Sequence, residues 1–166
     1  MIDSSSLLQI DGLSASPRYP NYTDRERDLA WSRFEQLAQG GQLLTVPMVA
    51  DELKRHSPTT HSKLVAIPNL LVRRITALTA TVADIVAQFP DLVRDDLDYE
   101  PADPWLVALA VQHRFAVVTQ EFPTSFRRKP GAPRIPDVCE AFELECIDVD
   151  EMLARLNFPS ALERRY

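Results

Sequence analysis

The stretch EPADPWLVALAVQHRFAVVTQE (Glu100–Glu121) sets Asp103 and Pro104 at the head of an apolar helix that feeds the β-branched segment FAVVT. Asp is a preferred N-cap, proline suits the first helical turn, and the helix dipole favours a negative charge there. Leu106 stands where a capping box would need Glu or Gln, so Asp103 is expected to cap alone. Eighteen residues separate Asp103 from Glu121 and span one helix and one strand. A helix and the strand after it run antiparallel, so helix start and strand end share one side of a sheet. The two carboxylates can therefore converge. An oxygen that accepts a capping hydrogen bond can also bind a cation, and both roles stay open for Asp103.

Outward from this unit, short apolar strands alternate with helices. MIDSSSLLQI predicts a short strand ending near Asp3, then a turn or short helix; SASPRYPNYT is a proline-rich loop. From Asp24 a helix is expected, with Leu29, Trp31, Phe34, Leu37 and Ala38 near one face and Gly40-Gly41 as its stop. QLLTVP reads as a buried strand, and Pro47 opens a helix through PMVADELKR. HSPTTHSK reads as a polar loop, KLVAI and NLLVRRITALTATVADIVAQF as helical, and DLVRDDLDYEPAD as an acidic connection. After FAVVT come a basic, proline-rich loop, a helix over DVCEAF, a strand over LECIDV and a helix over DEMLARL. This alternation predicts an α/β fold with a central parallel sheet in three layers. Ligands in such folds bind beyond the carboxyl ends of the strands. Asp3 and Glu121 belong there.

Glu52 adds a third element. At 100° per residue, Val49 and Leu53 define the buried stripe of its helix, Glu52 flanks that stripe at about 60°, and Asp51 points about 160° away. Asp51 is expected in solvent and Glu52 at a boundary, either as an ordinary surface acid or facing a cleft. Convergent carboxylates raise one another's pKa unless a cation neutralises them. Hard divalent ions such as Mg²⁺ and Mn²⁺ prefer these oxygen ligands. Such an ion activates water and stabilises charge on a phosphodiester. Asp3, Glu52, Asp103 and Glu121 are thus the candidate metal-binding and catalytic acids.

IDSSS, VADEL, ADPWLVALA and VVTQE, in this order, resemble the active-site series of PIN domains, the fold of VapC-type toxin ribonucleases. ADPWLVALA, VVTQE and the segment from RIPDVCEAF to LECIDVDEML resemble more closely a PIN-like bacterial branch known only as a domain of unknown function. The resemblance implies a Mg²⁺- or Mn²⁺-dependent endoribonuclease leaving 5′-phosphates, the toxin of a type II toxin–antitoxin pair, with RNA, a cognate antitoxin and a homodimer as partners. It implies that Asp3, Glu52 and Asp103 hold the metal, that Glu121 stands where many PIN domains have Asp, and that Ser5 and Thr119 support the acids by hydrogen bonding. The chain departs at Glu121, one methylene longer, and in having only Met1 and Ile2 before Asp3. These departures motivate the alternative of a decayed PIN-like module that binds protein or RNA. A metal-dependent phosphatase or DNA nuclease using the same acids is a third reading.

A net charge of −6 excludes a surface that attracts nucleic acid as a whole. A local patch would be needed, and Arg127, Arg128, Lys129 and Arg134 supply it as RNA-phosphate contacts, or else form a solvated loop. Asp137 is expected to cap a helix rather than join the site. Asp95, Asp96, Asp98 and Glu100 are expected to face solvent. The 166 residues suit one domain over residues 1–158 with a tail over 159–166. Two cysteines are too few for a disulfide framework and read as core residues of a reducing compartment. MIDSSS has neither the basic region nor the apolar run of a secretory signal, and no apolar run is long enough to cross a membrane. A cytoplasmic location is expected.

Overall fold

The computed structural model describes residues 1–12, 24–93, 98–126 and 131–157. The SASPRYPNYT loop, Asp95, Asp96, Arg127, Arg128, Lys129 and the tail over 159–166 lie outside these residues. The chain is α/β. Its helices are α1 (Ser4–Ile10), α2 (Asp24–Gln39), α3 (Pro47–His56), α4 (Pro58–Val65), α5 (Thr79–Gln88), α6 (Asp103–His113), α7 (Ile135–Ala141) and α8 (Val149–Arg155). Among the described residues, the strands β1 (Val117–Val118) and β2 (Cys146–Ile147) pair in parallel with Val117 opposite Cys146.

Extended backbone continues this pairing as single parallel bridges, Ile2 with Val118 and Thr45 with Leu71. Ile2 joins the two sides: its N–H donates to the Leu44 carbonyl at 3.2 Å, and its carbonyl accepts from Thr45 Oγ1 at 2.7 Å. Ile2 and β1 run in the same direction, so Asp3 and the Thr119–Glu121 segment leave the sheet at the same edge, as the strand–helix alternation predicts.

α6 is the central helix. Leu106 to Ala110 are all buried, with apolar side chains around its whole circumference, the mark of a helix covered on every side. It packs against α5, α7 and β1. Arg114 ends it in the left-handed conformation at φ 56°, turning the chain into β1.

Several expectations change. HSPTTHSK is no loop: Ser57 N-caps α4, its Oγ accepting from the Thr60 N–H, and Pro58 occupies the first turn. Buried Thr60 and Leu64 give that polar stretch an inward face. NLLVRRITALTATVADIVAQF is helical only from Thr76, where a short 3-10 turn leads into α5. Asn69 turns left-handed at φ 64°, and the backbone after it is drawn into the sheet: Leu70 accepts from the Thr45 N–H and Val72 donates to the Thr45 carbonyl. In α2, Leu29 is 53% exposed, and the buried stripe is Ala30, Phe34 and Ala38, flanked by partly buried Trp31 and Leu37. Gly41, at φ 70°, stops that helix as expected. Cys139 is buried, Cys146 is half-buried, and both are free thiols. Among the described residues no helix is long and apolar enough to cross a membrane.

Candidate functional site

Asp3 is the buried centre of the sheet edge. It N-caps α1, Oδ1 accepting from the Ser6 N–H at 2.8 Å. Its Oδ2 accepts from Ser5 Oγ at 2.7 Å and from Thr119 Oγ1 at 2.5 Å. The same hydroxyls organise the loop after β1: the Gln120 N–H donates to Ser5 Oγ, and the Glu121 N–H to Thr119 Oγ1. Ser5 and Thr119 therefore both donate to Asp3. Burial pushes the Asp3 carboxyl up, while the hydrogen bonds from Thr119, Ser5 and Ser6 pull it back.

Glu52 is half-buried on α3, and its neighbour Asp51 is exposed, as the helical geometry predicts. Glu52 Oε2 accepts from Ser4 Oγ at 2.8 Å, and Oε1 accepts from the Ala102 N–H at 3.1 Å. Burial raises its pKa, opposed by those two hydrogen bonds and reinforced by the charge of Asp3. Ser4 is a supporting residue that sequence reasoning missed. The signal was the unbroken hydroxyl run after Asp3.

Asp103 is not the N-cap. Ala102 holds that position, its carbonyl accepting from the Leu106 N–H at 2.9 Å; Asp103 is the first helical residue and makes no side-chain cap. The N–H of Ala102 is satisfied instead by Glu52, so a carboxylate from α3 takes the part that a capping-box acid would play within α6. Asp103 is thereby released: among the described residues its carboxyl accepts no hydrogen bond. Its pKa is pushed up to about 8, first by burial and then by the charges of Glu121, Glu52 and Asp3, with Arg134 opposing.

Glu121 is engaged through both oxygens. Oε1 pairs with Arg134 Nη1 at 3.0 Å, and Oε2 accepts from the Ile135 N–H, at the start of α7, at 3.0 Å. Burial raises its pKa against the pull of the Ile135 N–H and Arg134. Asp137 lies three residues into α7's start. It accepts from the Arg134 N–H at 2.8 Å and from the Thr124 N–H at 2.9 Å, so its role is capping by reaching back and tying two chain segments together. Arg134 is directed at Glu121, whereas its companions Arg127, Arg128 and Lys129 lie outside the described residues. Asp98 pairs with Arg55, and Glu100 accepts from Trp105 Nε1, so neither joins the acids.

The four acids thus come from four chain segments, and three of them act by charge on the fourth, Asp103. As they stand, no group of three or more His, Cys, Asp or Glu side chains among the described residues is gathered closely enough to hold a metal ion. All four are carboxylates, and Arg134 pairs with one of them, Glu121. A surface cleft of about 720 Å³ lies beside α3, lined by Asp51, Arg55 and Tyr99 rather than by these acids.

A family model described as "Domain of unknown function (DUF4411)" matches residues 2–159. No curated protein and no solved structure matches the chain.

Proposed function

The chain belongs to the domain-of-unknown-function family DUF4411, and from that premise we propose that it is a Mg²⁺- or Mn²⁺-dependent endoribonuclease of the three-layer PIN-like kind. The observation that supports this best is Asp103, a carboxyl without a hydrogen bond among the described residues, on which Glu121, Glu52 and Asp3 all bear. Gathering like charges is costly, and a divalent cation removes the cost. When bound, such an ion lowers the pKa of water and stabilises charge on a phosphodiester.

The chain's own residues divide the work. Ser5, Thr119 and the Ser6 N–H fix the direction of Asp3, and an ionised carboxylate retains acceptor sites beyond those three bonds. Ser4 and the Ala102 N–H fix Glu52. Asp103, which accepts no hydrogen bond among the described residues, would offer its oxygens to a ligand. Arg134, with Arg127, Arg128 and Lys129, offers the local positive charge that RNA phosphates need on a chain of net charge −6. The test is cleavage of single-stranded RNA with Mn²⁺ by wild type and Asp103→Asn. Activity is expected to fall by about a hundredfold or more, as for loss of a transition-state charge stabiliser. Equal rates would remove Asp103 from the mechanism. Double-stranded RNA, DNA and a phosphomonoester in the same panel decide between a ribonuclease and a DNA nuclease or phosphatase.

The toxin role predicts growth arrest on induced expression, relieved by Asp103→Asn and by a small cognate antitoxin, with the protein acting in the cytoplasm as monomer or homodimer. A second reading, a decayed module that binds protein or RNA, is favoured by the engagement of both Glu121 oxygens. Calorimetric titration with Mn²⁺ separates the two: saturable binding that is lost in a Glu52→Gln/Asp103→Asn double variant counts against decay.

A further inference from the structure

We propose that the cleft beside α3 is a subsite for one unpaired base of a single-stranded RNA, with guanine as the base it takes; this rests on the ribonuclease reading of the neighbouring acids. The cleft holds about 720 Å³, within the range of sites that enclose a small ligand. One wall is the outer face of α3, with Asp51, Lys54 and Arg55. The other is the segment before α6, with Asp98, Tyr99 and Glu100. Both walls continue into the candidate acids. Glu52 follows Asp51 on α3, and Asp103 lies three residues after Glu100. The Ala102 N–H donates to Glu52 Oε1 at 3.1 Å, tying the two chain segments together beside the cleft. An RNA chain with a phosphate at Glu52 and Asp103 has this cleft next to it for a base.

The cleft offers a flat face and hydrogen-bond acceptors. Arg55 Cζ lies 4.6 Å from the centroid of the Tyr99 ring, and Arg55 Nη1 pairs with Asp98 Oδ1 at 3.2 Å, so ring and guanidinium are held against each other. Aromatic rings and guanidinium planes are the surfaces on which proteins stack the splayed bases of single-stranded RNA. Met48 and Ile75 add apolar surface to the same cleft. Asp51, Asp98 and Glu100 bring carboxylates, which only accept hydrogen bonds when ionised. Glu100 is steadied by Trp105 Nε1, which donates to its Oε1 at 2.7 Å. Guanine is the base whose Watson–Crick edge sets two donors side by side, the N1–H and the N2 amino group, and one carboxylate takes both. Adenine, cytosine and uracil each set an acceptor beside their donor, which a carboxylate repels. Lys54 supplies a cation for the attached phosphate. The mixed charges also disfavour a purely basic or purely acidic protein segment.

The experiment is calorimetric titration of the full chain, without metal, with the 5′-monophosphates of guanosine, adenosine, cytidine and uridine. Cleavage sites are mapped alongside on single-stranded RNA with Mn²⁺. Wild type is expected to bind the guanosine nucleotide about tenfold more tightly than the uridine one, as a bidentate base contact supplies, and to cut at a fixed distance from guanine. Tyr99→Ala is expected to weaken the guanosine nucleotide about tenfold, the effect of one lost base stack, while Tyr99→Phe keeps the ring and stays within about twofold. Asp51→Asn/Glu100→Gln is expected to melt as wild type does and to bind the four nucleotides alike. Equal binding of all four by wild type, or none, overturns the proposal and leaves a protein segment as the occupant. A guanosine preference that survives the double variant also overturns it. Should Tyr99→Ala fail to fold, the preference of wild type and its loss in the double variant decide. A guanosine preference in a wild type that cleaves no RNA keeps the subsite and removes the nuclease reading; cleavage without base preference does the reverse.

Discussion

Asp103 sets the pH behaviour expected of the protein. In the folded chain its carboxyl titrates near pH 8, against an ordinary value of 3.8, because burial and three neighbouring acids penalise its charge. Between these values the folded chain holds a proton that the unfolded chain has released, so unfolding becomes easier as pH rises. Asp3, Glu52 and Glu121 are displaced in the same direction and add to the slope. The metal-free protein is therefore expected to melt at lower temperature at pH 8 than at pH 5, and Asp103→Asn, neutral throughout, to flatten the trend. Thermal melts across that range without metal check it; an unchanged slope in the variant would clear Asp103. The Asp-Pro start of α6 was legible in the sequence, but the cap was not. Local rules weigh only neighbours in the chain, and the group that answers the Ala102 N–H comes from Glu52, fifty positions away.

The elements are short, and hydrogen bonds between them carry much of the sheet. Thr45 Oγ1 donates to the Ile2 carbonyl at 2.7 Å in a fully buried setting. Thr45→Val keeps the shape and removes the donor, leaving that carbonyl unpaired at a cost of about 1–3 kcal/mol. Urea denaturation should show a lower midpoint with an unchanged m-value. A midpoint equal to wild type would mean that water or another donor serves Ile2. At this scale the sequence read correctly where a breaker or a strong apolar pattern fixed the answer: α2 up to Gly41, α3 from Pro47, and α6 through β1. It misled at α4, where Ser57 and Pro58 begin a helix that polarity disguised. It misled again near Leu70, where pairing with Thr45 overrode helical propensity.

For the whole molecule, a cation that binds the folded acids and not the unfolded chain must stabilise the fold by mass action. Mn²⁺ at a hundred times its dissociation constant is expected to add about 2.7 kcal/mol, read as a rise in melting temperature that disappears in Asp103→Asn. No shift at any Mn²⁺ concentration would count against the site. The sequence by itself determined the α/β alternation, the order Asp3, Glu52, Asp103, Glu121, and the hydroxyls beside Asp3, because periodicity, proline placement and residue chemistry are local properties of a chain. Only the tertiary structure decided how those acids are employed: Glu52 across the start of α6, Glu121 between Arg134 and α7, and Asp103 left without a hydrogen bond among the described residues. A carboxylate's role depends on which donors surround it, and here those donors are brought from distant parts of the chain by the packing of its helices around a common edge.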